Sequence, residues 1–233
     1  GRLAARPIHN AIKAHGGALQ GLRFLHVVGA LPFERNAPVL MALDATIRLR
    51  RGNSGHSSRT IPLSDFYLDY LKNRMAPGEF LEAIRVPMPA DDLRQVRAYK
   101  ISKRFDCDIS ALLGAFSITL DHDGRIAAVR LAWGGMAAIV KRSAGAEAAL
   151  LGQPWTRASV AAAQAALAVE FEPLTDMRAS DRHRLRVAQN LIERFWLETR
   201  ADDPLPESAT SVFSRTPGSA GPAEPDGRPA LRG

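Results

Sequence analysis

Cysteine is almost missing from this chain: Cys107 is the single thiol in 233 residues. One thiol cannot close an internal disulfide or supply a four-cysteine cluster site, and such usage suits a reducing compartment. Long apolar runs are missing too. No stretch reaches the length of a membrane span, and the first residues lack the apolar core of a signal peptide, so a cytoplasmic chain is expected. There is no GxGxxG, Walker loop, HExxH or GxSxG, which removes the common nucleotide and hydrolase templates. The six histidines are dispersed without ligand spacing, so no metal site is expected. Dense Lys/Arg runs and Cys/His fingers are also absent. The net charge of +7 comes largely from scattered arginines, so a nucleic-acid partner is not expected. An anionic small molecule or an acidic protein partner accounts for the charge equally well.

What the chain does contain is ordinary for a globular protein, 46% hydrophobic and 24% charged residues. Residues 1–36 carry no firm period, so neither helix nor strand is favoured there. "HGG" (His15–Gly17) reads as a flexible loop. "APVLMALDATIRLRRGN" predicts a short helical piece with Val39, Leu40 and Leu43. Alternation through Ala45, Ile47 and Leu49 follows, closed by a turn at Gly52 and Asn53. Ser64 is a candidate cap for a helical turn carrying Phe66 and Tyr70. Phe80, Glu82, Ile84 and Val86 alternate as a strand that prolines end.

Three strands are expected next, over 97–104, 112–121 and 125–133, with "DHDG" (Asp121–Gly124) as the hairpin joint. The same four residues lack the glutamate that would complete a calcium loop. The period then becomes helical. Ala144, Ala148 and Leu151 share a predicted face, with Gly152 as a stop. Thr156 caps a helix through Val169, with Trp155 as a staple. Ser180 caps a last helix whose apolar stripe is Leu185, Ala188, Ile192, Phe195 and Trp196. Strands followed by helices predict α+β, with helices on one face of an antiparallel three-stranded sheet. Beyond Arg200 the composition predicts a disordered tail.

One stretch asks for more than a fold. "AYKISKRFDCDISALLGAF" (98–116) sets Lys100, Lys103 and Arg104 ahead of Asp106 and Asp108, then turns apolar. A strand delivers a polar loop to something anionic, and a second strand stands behind it. Cys107 between two aspartates is a poor nucleophile, because carboxylates raise a thiol's pKa. "WGGMA" (133–137) ends a strand with paired glycines, either a turn or a close approach of backbone to a ligand.

That stretch, with "IAAVRLAWGGMAAIVKRSAGAEAALLGQPW" after it, resembles the flavin-binding small subunit of xanthine dehydrogenases. More broadly it resembles the C-terminal domain of the molybdenum hydroxylase flavoproteins, carbon monoxide dehydrogenase included. "TIPLSDFYLDYLKNRMAPGEFLEAIRVPMP" is similar to the end of their FAD-binding domain, and "LTDMRASDRHRLRVAQNLIERFWLETR" to their closing helix. The resemblance implies four segments: 1–36 poorly matching, 37–92 the C-terminal part of the FAD-binding domain, 93–200 the flavoprotein C-terminal domain, and 201–233 the tail. It implies an oxidoreductase component that passes electrons from iron–sulfur clusters through FAD to NAD+ in purine catabolism. Its partner would be a molybdenum-cofactor-binding large subunit. By the same resemblance Phe80 and Leu81 pack beside the isoalloxazine ring, Lys100 stands near the ring and its nicotinamide approach, and Asp108 and Ile109 belong to an acidic loop close to the ring. The family's "GGN" turn and "SP.GD" loop are replaced here by "LRFLHVVGALPFERNAPVL", with Arg35 in place of an aspartate. The pyrophosphate loop and the cysteine-rich iron–sulfur domain have no counterpart in the sequence. The expectation is therefore a C-terminal portion or altered reading frame that is inactive alone and holds FAD weakly by itself. The alternative is a non-catalytic module that keeps the fold and docks to the molybdenum-binding subunit.

Overall fold

The computed structural model describes residues 24–27, 33–52, 57–88, 93–103 and 109–210, with side chains from Ala37 onward apart from Glu207. His15–Gly17, Asn53, Arg104, Asp106, Cys107, Asp108 and the tail from 211 lie outside them, as does the Arg35 side chain.

A first antiparallel sheet takes the order β1–β6–β2–β3, from β1 (Phe24–Val27), β2 (Thr46–Arg51), β3 (Ser58–Pro62) and β6 (Glu79–Pro87). Alternation makes β2 one-sided: Ile47 and Leu49 are buried, while Arg48 is exposed. Before it runs helix α1 (Phe33–Ala42), whose Leu40 and Met41 share a core with Ile47, Leu49, Ile84 and Val86. A short hairpin, β4 (Tyr67–Asp69) with β5 (Lys72–Asn73), stands between β3 and β6.

The second sheet has the order β10–β9–β8–β7, from β7 (Arg94–Ile101), β8 (Leu112–Leu120), β9 (Ile126–Gly134) and the two-residue edge strand β10 (Lys141–Arg142). Helices α2 (Ala144–Leu150), α3 (Arg157–Glu170) and α4 (Asp181–Thr199) follow in the chain, then a short α5 (Glu207–Thr210). The near-continuous apolar run of β8 follows from having both faces covered. Leu112, Phe116 and Ile118 join the core with α2, α3 and α4, whereas Ala115 joins the core around α1. On β9 the same alternation sends Val129, Leu131 and Trp133 to the helices and Ala132 to α1. Gly114 makes room for the aromatics: a Cβ there would lie 2.7 Å from the Phe116 ring and 3.1 Å from that of Trp133. The α+β reading therefore stands, with α1 as a further helix on the sheet's other face.

Three local readings need correction. Ser64 caps nothing; it sits inside a 3-10 turn (Leu63–Asp65) that starts at Pro62, and Tyr70 is exposed in the hairpin. The strand 79–87 exists, yet its alternation breaks. Arg48 pairs with Ala83 and Leu49 with Leu81, so Glu82 is the extra residue of a β-bulge. The bulge turns Leu81 toward the core and leaves Phe80 47% exposed. In α2 the buried side chains are Ala146, Glu147 and Leu150, and Leu151 is exposed. The cause is Glu147, whose carboxylate accepts from the Leu131 amide at 2.8 Å and from Arg142 Nε at 2.9 Å. A buried charge with good partners shifts the helix away from its most apolar phase.

The two sheets meet around the end of α1. Arg94 Nη2 and Ser117 Oγ, both from the second sheet, donate to the Ala42 carbonyl at 2.6 Å each. They satisfy a helix-end acceptor that has no partner within its own helix. Asp44, at φ +55° just beyond, accepts from Arg130 Nε at 2.6 Å, with Arg94 Nη2 at 3.6 Å and Arg142 Nη1 at 3.8 Å.

Candidate functional site

Lys100 lies on β7, in register with Leu113 of β8 and through it with Gly134 of β9. Its neighbour Tyr99 points the other way, into the core, where its hydroxyl donates to Glu198 at 2.8 Å. Burial, and then the Glu198 carboxylate, push the Tyr99 phenol far above its usual range, so it stays a proton donor. Lys100 is exposed on the opposite face. The loop after β7 is closed at its base by the Ala111 amide, which donates to the Ile101 carbonyl at 2.8 Å. Ile109, just inside that closure, is 54% exposed. Asp108 lies outside the described residues.

Phe80 and Leu81 stand on the first sheet, opposite Arg50 and Leu49. Successive residues of a strand face opposite ways, so the exposed ring of Phe80 and the half-buried Leu81 do not share a face. The site residues expected from sequence therefore divide between two regions, Phe80 and Leu81 on the first sheet, Lys100 on the second and Ile109 in the segment leading into β8. Besides Phe80, the first-sheet region exposes further large apolar side chains that the sequence reading did not single out as site residues. Leu68, Tyr70, Leu71 and Met75 are exposed on and beside the β4–β5 hairpin. Glu79, the first residue of β6, binds β3 and the loop that follows the hairpin: Arg59 donates to both of its oxygens at 2.8 Å, and the Ala76 amide donates at 2.7 Å. The Arg59 hydrogen bonds, then that of the amide, lower the Glu79 carboxyl to about 2.

Against a flavin, the exposed apolar side chains and Lys100 offer chemistry of the kind the ring would need, and the described residues offer no cradle for the diphosphate. Exposed apolar side chains and a cation suit a flat aromatic system with polar edges. A diphosphate needs a cradle of open backbone amides, and every fully described helix start is already occupied. The Ala144 and Gly145 amides donate to Glu170 at 3.0 and 2.9 Å. The α3 start is closed by the Thr156–Ser159 capping box, and the α4 start by Ser180. Gly135, at φ +82°, has no room: a Cβ would lie 2.6 Å from the Ala111 oxygen and 2.9 Å from Arg184 Nη1. Among the described residues, no group of three His, Cys, Asp or Glu could hold a metal ion.

The family comparison decides the identity. Residues 16–89 match the FAD binding domain in molybdopterin dehydrogenase, and residues 97–199 match the CO dehydrogenase flavoprotein C-terminal domain. The chain belongs to the flavoprotein family of the molybdenum hydroxylases. A nicotinate hydroxylase of Emericella nidulans is 30% identical over 198 residues, which are 83% of this chain and 14% of that protein. A xanthine dehydrogenase of the same organism is 31% identical over 127 residues, 54% of this chain and 9% of the relative. Among solved structures, carbon monoxide dehydrogenase from Hydrogenophaga pseudoflava superposes with a TM-score of 0.62 at 26% identity, over 68% of this chain and 53% of that one. This molybdenum hydroxylase flavoprotein thus spans about half of the solved chain it resembles and a small part of the curated relatives. Its two matched domains correspond to the two sheets, with α1 and Asp44 at their junction.

Proposed function

We propose that the chain is the flavin module of a xanthine dehydrogenase-like molybdenum hydroxylase, receiving electrons from iron–sulfur clusters and passing them through FAD to NAD+. The observation that carries this reading is the paired match, FAD-binding domain followed by flavoprotein C-terminal domain. Bound flavin would supply the exchange of electrons between one-electron and two-electron partners. The chain's own residues would do the rest. Phe80 and Ile109, both exposed, would cover the ring and keep water from it, while Leu81, turned toward the core, would hold the strand behind Phe80. Lys100 would place a positive charge where negative charge develops, and Asp108 would belong to the acidic loop beside the ring. The clusters and the molybdenum cofactor would lie in other domains or subunits, and a molybdenum-binding large subunit would be the partner. The setting is a cytoplasmic enzyme; among the described residues, no helix is long and apolar enough to cross a membrane.

Co-expression of the chain with the coding sequences that adjoin it, followed by purification of the assembly, tests the reading. The assembly should carry FAD whose visible absorbance bleaches with a purine or nicotinate and returns with NAD+. Recovery only with an artificial dye would keep the flavin role and remove NAD+ as acceptor. An assembly without flavin would favour the second reading, a non-catalytic docking module that keeps the fold. That reading draws on the absence of a diphosphate cradle among the described residues, and with it the chain alone should hold FAD weakly.

A further inference from the structure

Helix α4 buries an arginine. Arg184 is 4% exposed and lies four residues before buried Ala188, on the apolar phase of the helix. Removing a guanidinium from water costs several kcal/mol unless its donors are satisfied, and its Nε has no partner. A methionine or leucine would fill such a position without that cost. What the arginine supplies is attachment to three separate segments. Nη1 donates to the carbonyls of Ala111 and, at 2.9 Å, Gly135; Nη2 donates to Asp176 Oδ1 at 2.7 Å. Asp176 is in turn held by the Arg178 and Ala179 amides at 2.8 and 3.1 Å. Ala111 immediately precedes β8 and Gly135 follows β9, at the sheet end where Lys100, Leu113 and Gly134 are in register. The next residue after Asp176, Met177, accepts from Lys103 Nζ at 2.7 Å. One short segment therefore holds the chain on both sides of Ile109.

We propose that Arg184, oriented by Asp176, is a positioning residue that sets where Ile109 and the Ala111 edge stand relative to Lys100. The proposal takes from the flavin reading only the statement that this edge is functional. Multiple donors in a rigid fork suit the role: Arg184 serves these acceptors from two nitrogens, whereas a lysine's three N–H donors all sit on one.

The experiment is amide hydrogen exchange on the purified assembly and its Asp176→Asn, Arg184→Lys and Arg184→Met variants. Asp176→Asn and Arg184→Lys keep the proposal testable if Arg184→Met fails to fold. In Asp176→Asn, peptides spanning 109–113 and 135–137 should exchange about tenfold faster, equivalent to about 1.4 kcal/mol, while 116–119 and 129–132 keep their protection. Arg184→Lys should fall between wild type and Arg184→Met. Flavin visible circular dichroism should change in Asp176→Asn at an unchanged ratio of FAD to protein. Unchanged exchange at 109–113, or equal loss along both strands, would overturn the proposal. So would a flavin signal that stays the same while the edge loosens. An assembly without flavin sinks the functional reading alone, and the exchange data still decide whether Arg184 holds the edge.

Discussion

Arg130 of β9 donates through Nε to Asp44 Oδ1 at 2.6 Å, across the junction of the two sheets. Asp44 is a non-glycine residue at φ +55°, on the turn that leaves α1. A carboxylate tolerates that backbone and supplies a focus for Arg94 and Arg142 as well. The pair is part-exposed, so its worth lies below that of a buried ion pair. A double-mutant cycle of Asp44→Ala and Arg130→Ala, read by urea unfolding, should give a coupling of about 1 kcal/mol. A coupling of zero would make the contact incidental to the junction.

The closing helix separates two aromatics that sequence periodicity treats alike. Phe195 is fully buried, with ring centroids 5.5 Å from Phe116 and 5.8 Å from Trp155. Phe195→Ala should cost about 3–5 kcal/mol in chemical denaturation. Trp196 is only partly buried, donates to the Trp155 carbonyl at 3.2 Å, and lies under the Arg200 guanidinium at 5.2 Å. Trp196→Ala should cost about 1–2 kcal/mol. Equal costs would mean that the helix is rotated from its described phase.

Leu71, at the hairpin tip, combines φ +57° with 82% exposure. The left-handed backbone costs a side-chain-bearing residue about 1–2 kcal/mol, and so exposed a leucine recovers little by packing. Leu71→Gly should leave the melting temperature unchanged or raise it by a few degrees, about 1 kcal/mol of relief offset by a floppier unfolded chain. A clear fall in melting temperature would show that Leu71 packs on something.

Acid should destabilise the fold through two carboxyls. Glu79 is lowered to about 2 from an ordinary 4.5 by Arg59 and then the Ala76 amide. For Asp176, burial acts upward, yet the Arg178 and Ala179 amides and Arg184 outweigh it and bring the group from 3.8 to about 2. Both folded values lie below the unfolded ones. Their stabilising contribution is therefore complete above the unfolded values and lost as pH falls toward about 2. Glu79→Gln should lower stability at neutral pH and flatten the loss between pH 4.5 and 2. An acid limb identical to wild type would remove Glu79 from the account.

On the proposed function, with Lys100 beside the ring, Lys100→Ala in the flavin-bearing assembly should slow NAD+ reduction more than it weakens FAD retention. A cation beside the ring acts on charge that develops during transfer, whereas affinity comes mainly from groups elsewhere. Stopped-flow reduction and flavin-release assays measure the two quantities, and equal losses in both would leave Lys100 a binding residue.

Much of the second sheet and its helices was legible from local chemistry alone. Asp121 and Gly124 specify a hairpin because the carboxylate accepts from the Asp123 and Arg125 amides while glycine takes φ +73°. Ser180 caps α4 by accepting from the His183 amide. Such signals act over a few residues, within reach of a reading along the chain. The bulge at Glu82 was not legible, because register depends on what β2 presents across the sheet. It reverses the faces of Phe80 and Leu81, so a period-two reading of one strand misassigns both. Arg184 shows the same limit from the other side. Its phase on the apolar stripe can be read from sequence, but its acceptors are the carbonyls of Ala111 and Gly135, far away in the chain. Backbone carbonyls are the same in every residue, so only folding decides which ones a buried guanidinium meets.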